Sequence, residues 1–291
     1  MGVKDIEEKQ FEDYNDVFAD IVNVLLFNGR QIVNPDDLEN SKDKSRFKAA
    51  KGKITEQERD TSKWWRKSMI RLALFGFENQ TKIDQKICFR LYEYDGASYK
   101  SEYDEKIKYP VITIVLYFNY KKHWDGPKTL LEGMNIPEEL RPYVNDYHMN
   151  LFEIAWLTDE QVAMFKSDFK IVADYFVQMR KNKTYIPSKE TIKHVDAVMK
   201  LMTALTGDTR YEDGVNEILT KEKRGEVTMC EWLDDAEKRG RFEMLVSMVN
   251  KYIAKKKISQ KAACEDLSVS YSKYMAAKRY LKKLELQGIQ E

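Results

Sequence analysis

Cysteine, long apolar runs and net charge are all scarce in this sequence. Its three cysteines, Cys88, Cys230 and Cys264, form no C-x-x-C pair, so zinc, redox and disulfide motifs are not predicted. We expect all three to be free thiols of a protein in a reducing compartment. No run of 18 apolar residues and no apolar N-terminal region occur, so neither a membrane span nor a signal peptide is expected, and the predicted compartment is the cytoplasm.

The net charge of +1, from 49 Lys and Arg against 48 Asp and Glu, predicts neither a nucleic-acid partner nor an acidic one. The distribution is more informative. Residues 41–72 carry eleven basic and four acidic side chains, and residues 250–291 carry ten and four. These two segments could bind a polyanion, or they could be solvated helix faces rich in lysine.

A helix is predicted over residues 11–27, closed by Asn28 and Gly29. Its apolar stripe should face a core and consists of Phe11, Tyr14, Phe18, Val22 and Leu25. A second face carries acids and an amide at helical spacing, namely Asp13, Asp16, Asp20 and Asn23. This acidic stripe is predicted to be a solvated surface or a cation-binding face.

Residues 70–81, IRLALFGFENQT, read as a buried strand that ends in polar side chains. Because side chains alternate along a strand, Glu78 and Gln80 should share one face and Asn79 should take the other. With a second carboxylate nearby, such a pair would suit Mg²⁺. Asp60 is the candidate for that carboxylate, although it could instead be a helix N-cap, in which case Glu58 is the alternative acid.

The other predicted elements give an α/β core with a helical extension. A polar loop is expected at 34–58, and a helix at 84–99 with Ile87, Leu91 and Tyr94 inward, ending near 95–96. Strands are expected at 109–120 and 150–157, a helix capped by Thr158 at 159–181, and a helix from Pro187 to 206. The predicted domains are residues 1–185 and 186–291.

Residues 258–281 have the outline of two helices around a short turn at 267–270. This pattern is typical of a helix-turn-helix, although the usual turn glycine is missing. The alternative is a helical hairpin used for packing or dimerisation. Its small core would consist of Ala262, Ala263, Leu267, Val269 and Tyr274.

The spacing of Asp60 and Glu78-Asn79-Gln80, followed by CFRLYEYD and YPVITIVLYF, resembles the PD-(D/E)XK nuclease superfamily. Within it, the sequence is most similar to the recombination-promoting nuclease family, also known as PD-(D/E)XK family transposases. The resemblance covers about residues 11–185. It implies a restriction-endonuclease-like core, with a central mixed sheet flanked by helices, and an all-helical C-terminal extension.

The resemblance also implies a site. Asp60 and Glu78 would bind the metal with the backbone carbonyl of Asn79, and Gln80 would stand where the superfamily mostly has lysine. Asp16 would be the acid of the first helix, with Asp20 as the alternative. The implied reaction is hydrolysis of DNA phosphodiester bonds with Mg²⁺, for which Mn²⁺ could substitute.

DNA is the implied partner, no membrane is expected, and paired cuts would favour a homodimer. Backbone phosphates could be held by Lys63, Arg66, Lys67 and Lys82. Weaker candidates are Trp64 and Trp65 for base stacking and His123 as a general base, whereas His148 and His194 are expected to be structural. The alternative function is a catalytically decayed DNA-binding or oligomerising protein of the same fold.

Overall fold

A computed structural model describes residues 3–41, 45–48, 54–57, 61–67, 70–104, 106–208, 211 and 228–288. The chain divides into two compact units, an N-terminal unit of residues 1–186 and a C-terminal unit of residues 187–291. None of the helices within the described ranges is long and apolar enough to cross a membrane.

Two short helices begin the N-terminal unit, α1 (Val3–Glu12) and α2 (Asn15–Leu25). The prediction of one helix over 11–27 was wrong, because Tyr14 has an extended backbone that interrupts the helical hydrogen bonds. The apolar stripe is confirmed in part: Phe11, Phe18 and Val22 are completely buried, whereas Tyr14 is exposed and Leu25 is only half-buried. After α2 the chain turns through Asn28 and Gly29, both with positive φ.

The core of the N-terminal unit is a mixed five-stranded sheet in the order β1-β4-β5-β6-β7. Antiparallel pairing joins β1 (Leu38–Asn40), β4 (Thr61–Lys67) and β5 (Ile70–Gln80), and parallel pairing joins β5 to β6 (Val111–Tyr117) and β6 to β7 (Asn150–Glu153). A separate antiparallel pair consists of β2 (Ser45–Lys48) and β3 (Ile54–Gln57). The expected loop at 34–58 therefore contains three short strands and a 3₁₀ turn, Pro35–Asp37.

The middle strand, β5, is covered on both faces. Phe77 stacks on Phe18 of α2 with ring centroids 4.2 Å apart. On the other face, helix α3 (Ile87–Ser101) packs Ile87 and Leu91 against Val115 of β6. Burial on both faces explains why β5 is apolar without alternation between apolar and polar residues.

Helix α3 confirms the inward positions predicted for Ile87, Leu91 and Tyr94, all of which are buried. It continues past the predicted end to Ser101. Asp95 faces inward, where it accepts hydrogen bonds from the Thr113 hydroxyl at 2.6 Å and the Tyr147 hydroxyl at 2.7 Å. A buried, satisfied Asp95 is compatible with a helix interior, so it does not terminate α3.

After β7 the N-terminal unit is completed by helices. Thr158 caps α4 (Asp159–Met164) through a reciprocal capping box with Gln161. The chain then breaks before α5 (Phe169–Asn182), so the single helix expected over 159–181 is two. Short 3₁₀ helices also lie between β6 and β7, at Leu131–Gly133 and Glu138–Tyr143, and directly after β7, at Ile154–Trp156.

The described part of the C-terminal unit is almost entirely helical. Helix α6 (Val195–Thr206) starts eight residues after Pro187, so the predicted start was wrong. It is followed by α7 (Met229–Lys256), α8 (Gln260–Asp266) and α9 (Tyr271–Gly288). The α8–turn–α9 pattern is confirmed, and its buried centre consists of Val249, Ala263, Cys264 and Tyr274.

Candidate functional site

The carboxyl end of β5 brings Glu78 and Gln80 together on one face of the sheet. The strand continues through Gln80, pairing Glu78 with Val115 and Gln80 with Tyr117 of β6. Gln80 Nε2 donates a hydrogen bond of 3.2 Å to Glu78 Oε1. Only 6% of Glu78 is exposed, so its carboxylate is held in a largely desolvated position.

Helix α3 places a guanidinium beside this pair. Arg90 Nη2 lies 2.6 Å from Glu78 Oε1, and Arg90 Nη1 lies 3.2 Å from Asp84 Oδ2. Arg90 was not among the residues singled out from the sequence, although it lies inside CFRLYEYD. A basic residue early in the helix that follows the strand is the signal that could have identified it, because helix and strand must pack at this end of the sheet.

The opposite face of β5 carries a second buried carboxylate, also missed from the sequence. Asn79 Nδ2 donates to Glu12 Oε1 at 2.8 Å, and the Thr61 hydroxyl donates to Glu12 Oε2 at 3.1 Å. Glu12 is the last residue of α1 and is only 2% exposed. The first helical segment therefore reaches the polar end of β5 through Glu12.

The acidic stripe of the first helix is not the single solvated or cation-binding face that was predicted. Asp13 is exposed and Asp16 is half-buried in the first turn of α2. Asp20 is buried, and its Oδ2 accepts the backbone N–H groups of Lys166 and Ser167, each at 2.7 Å. Asn23 is also buried and binds backbone groups of the segment after α2. Asp20 and Asn23 therefore stabilise chain packing.

Asp60, the expected second metal ligand, and the alternative Glu58 lie outside the described residues. Within the described ranges, no three His, Cys, Asp or Glu side chains gather in a way that could hold a metal ion. Glu78 supplies the carboxylate and Gln80 an adjacent amide on one face, and these are hard oxygen donors of the kind that Mg²⁺ prefers.

Lys63 is buried rather than available to DNA. Its Nζ lies 2.8 Å from the backbone oxygen and 3.0 Å from Oδ1 of Asp13, and it also contacts Asn40 Oδ1. Burial lowers the pKa of Lys63, and Asp13 partly offsets this effect. The expectation that Lys63 contacts DNA phosphate is therefore corrected, because its side chain has 1% exposure.

The other predicted phosphate contacts differ in accessibility. Lys67 and Lys82 are exposed, whereas Arg66 is half-buried and paired with Glu39. Trp64 is 5% exposed, and the Arg71 guanidinium carbon lies 4.4 Å from its ring centroid, so Trp64 is a core residue and not a base-stacking platform. Its neighbour Trp65 is half-buried.

Two further side chains of chemical interest lie elsewhere in the N-terminal unit. His123 is exposed, and its ring contacts that of Trp156 at a tilt of 37° with centroids 4.0 Å apart. Its Nδ1 lies 3.2 Å from Glu153 Oε1. Cys88 is buried in the α3 cluster, and burial raises its pKa to about 11. A thiol with this pKa is almost entirely protonated at neutral pH and is therefore a poor nucleophile.

Comparison with known proteins gives one match. Residues 73–211 match a family model described as "Putative transposase, YhgA-like", which suggests a function associated with mobile elements. No curated protein and no solved structure shows significant similarity to the chain. The matched region includes Glu78, Asn79, Gln80 and Arg90 and begins inside β5. The resemblance seen in the sequence is confirmed over this range: residues 73–211 match the model of the YhgA-like transposase family, which is of the recombination-promoting, PD-(D/E)XK type.

Proposed function

We propose that this protein is a metal-dependent DNA endonuclease that hydrolyses phosphodiester bonds in recombination or in the movement of a mobile element. The observation that carries the proposal is the placement of Glu78 and Gln80 side by side at the carboxyl end of the central strand. A mixed sheet with helices on both faces is also the architecture implied by the PD-(D/E)XK resemblance.

The proposed metal ligands are Glu78, Asp60 and the backbone carbonyl of Asn79. Mg²⁺ typically takes one or two protein carboxylates and completes its coordination with waters and phosphate oxygens, so a site with few protein ligands fits this ion. When bound, the ion would activate a water and neutralise charge on the phosphate. Mn²⁺ is expected to substitute because it also prefers oxygen ligands.

The protein's own contribution is rigidity and orientation. Glu78 and Gln80 pair with β6, and the part of β5 that ends just before them at Phe77 also pairs with β4, which limits their motion. The Gln80 amide carries no charge, so it cannot lower the pKa of a nearby water as a lysine ammonium would. Its oxygen and nitrogen can still orient a water by hydrogen bonding.

DNA is the proposed partner, and the C-terminal unit offers a surface for it. Helix α9 follows the turn after α8, as the second helix of a helix-turn-helix would, and its Tyr274 and Ala277 are buried. Four basic side chains before and after these buried positions are exposed, namely Lys273, Lys278, Arg279 and Lys282. Basic side chains on such a helix bind the phosphate backbone without sequence preference, and this binding weakens as salt is raised.

Nicking of supercoiled plasmid tests the proposal. Purified protein should convert supercoiled DNA to open circles in Mg²⁺ or Mn²⁺ and lose this activity in EDTA. The variants Glu78→Ala and Asp60→Ala should be inactive while remaining folded by circular dichroism. Nicking that survives EDTA, or survives either substitution in purified protein, would remove the enzymatic proposal.

The second candidate is a DNA-binding or oligomerising protein whose nuclease site has decayed. It is favoured by the packed α8–turn–α9 pair of the C-terminal unit, which could bind DNA or a second copy without chemistry in the N-terminal unit. DNA binding measured by fluorescence anisotropy, together with no cleavage in any divalent cation, would favour this second function. A homodimer in solution is compatible with both candidates.

A further inference from the structure

The guanidinium of Arg90 lies against one of the two carboxylate oxygens that Glu78 could offer to a bound cation. It contacts Glu78 Oε1 at 2.6 Å through Nη2. The same oxygen also accepts the amide hydrogen bond from Gln80. Two donors therefore converge on Oε1, and the Glu78 side chain is only 8% exposed.

A carboxylate at this depth requires a counter-charge, because desolvation of an unpaired charge costs several kcal/mol. Arg90 supplies that charge when no metal is present. A divalent cation at the same oxygen would use the same lone pairs and would repel the guanidinium at short range. The Arg90–Glu78 ion pair and cation binding at Glu78 are therefore mutually opposed.

Arg90 has a second anchor that would keep it at the site. Its Nη1 lies 3.2 Å from Asp84 Oδ2, and its side chain is 34% exposed. Loss of the Glu78 contact would therefore leave the guanidinium attached to Asp84 and open to solvent through Nη2. A planar guanidinium with free N–H groups is well suited to bind a phosphate oxygen.

We propose that Arg90 and the divalent cation compete for Glu78, and that the released guanidinium then binds the DNA phosphate and supplies the positive charge that Gln80 lacks. This inference rests on the proposed nuclease function. In the cation-free protein, Arg90 keeps Glu78 neutralised. In the DNA complex, Arg90 is a catalytic residue that stabilises the charge developing on the phosphate.

The test compares cation binding with cleavage. Mn²⁺ binding is measured by isothermal titration for the wild type, Arg90→Gln, Arg90→Met and the control Arg241→Gln, counting only the binding that Glu78→Gln abolishes. Arg241 is a suitable control because its partner, Glu237, is a different and exposed carboxylate. Removal of a partly buried ion pair should tighten Mn²⁺ binding in both Arg90 variants roughly three- to tenfold, with no change in Arg241→Gln.

Cleavage should change in the opposite direction, since the Arg90 variants lose phosphate stabilisation. Plasmid nicking at saturating Mg²⁺ should fall at least about tenfold in Arg90→Gln and less in Arg90→Lys, which keeps the charge but not the two-pronged geometry. A purely structural role would lower both binding and cleavage. Tighter cation binding together with slower cleavage is therefore the signature of competition.

Mn²⁺ affinity in the Arg90 variants that is equal to or weaker than in the wild type would overturn the inference, as would failure of both Arg90→Gln and Arg90→Met to fold. Failure of the proposed function would be seen differently, as the absence of nicking by the wild type. If the wild type nicks DNA and Mn²⁺ affinity is unchanged in the variants, only the competition is rejected. If the wild type does not nick DNA, the phosphate role is rejected with the nuclease, and the Mn²⁺ comparison still decides the competition.

Discussion

Glu12 is expected to be among the most sensitive positions in the N-terminal unit. Its buried carboxylate accepts hydrogen bonds from Asn79 on β5 and from Thr61 on β4, so one side chain joins the end of α1 to two strands. The substitution Glu12→Ala would remove the acceptor of both donors, at a buried contact for Thr61 and a part-buried contact for Asn79. Glu12→Gln provides a matched variant of nearly the same shape.

The magnitudes follow from the two contacts. A hydrogen bond to a charged group contributes about 1.5–3 kcal/mol, so Glu12→Ala should lower the free energy of unfolding by roughly 3–5 kcal/mol. Glu12→Gln should cost only about 1 kcal/mol, because its amide oxygen can accept from Asn79 while its NH₂ donates to the Thr61 hydroxyl. The free energy of unfolding of most proteins is at most about 15 kcal/mol, so the loss expected for Glu12→Ala is a large part of the total stability.

Urea unfolding followed by tryptophan fluorescence measures this difference, since four of the five tryptophans, at positions 64, 65, 124 and 156, lie in the N-terminal unit. Glu39→Ala is the control, because its surface ion pair with Arg66 should contribute at most about 1 kcal/mol. Equal losses in Glu12→Ala and Glu12→Gln, or a loss below about 1 kcal/mol in Glu12→Ala, would refute the reasoning.

Three further predictions concern stability. Burial raises the pKa of Cys88 from 9.0 to about 11, so the thiol of the unfolded chain ionises first as the pH rises. The free energy of unfolding should therefore fall by about 2 kcal/mol between pH 9 and pH 11 in urea unfolding, and Cys88→Ala should lack this contribution. Asp20→Ala should lower the free energy of unfolding by about 2–4 kcal/mol in the same assay, because two backbone N–H groups before α5 lose their acceptor. A loss below about 1 kcal/mol would contradict this. Tyr274→Phe should lower the free energy of unfolding by about 1 kcal/mol, because it removes the 2.9 Å hydrogen bond from the Tyr274 hydroxyl to Asn250. Amide hydrogen exchange should then become faster in α7–α9 and stay unchanged in residues 1–186.

Local patterns in the sequence predicted the main elements of the fold. The apolar run of β5, the inward residues of α3 and the turn between α8 and α9 all follow from periodicity and turn chemistry. The breaks in the first helix and before α5 could not be predicted, because they depend on contacts between distant segments. Asp20, for example, binds backbone groups that lie 146 and 147 residues away.

Only the part of the candidate site that lies on one strand, β5, could be predicted from the sequence. Alternation along β5 correctly placed Glu78 and Gln80 together. Arg90 and Glu12 were missed because each comes from another element, and which helix meets the strand end is a tertiary property. Lys63 was misjudged for the same reason, since a lysine in a basic segment looks solvated until Asp13 and Asn40 are seen to enclose it.

The most direct test of the central claim is plasmid nicking by Glu78→Gln, purified in parallel with the wild type and with Glu39→Gln. The isosteric substitution removes the charge of a carboxylate that lies next to Gln80, whereas Glu39 is exposed and paired with Arg66. We predict Mg²⁺-dependent nicking by the wild type and by Glu39→Gln, and a loss of at least about a hundredfold in Glu78→Gln, as expected when a charged group that acts in the reaction is removed. Equal nicking by the three proteins would contradict the claim that Glu78 binds the metal.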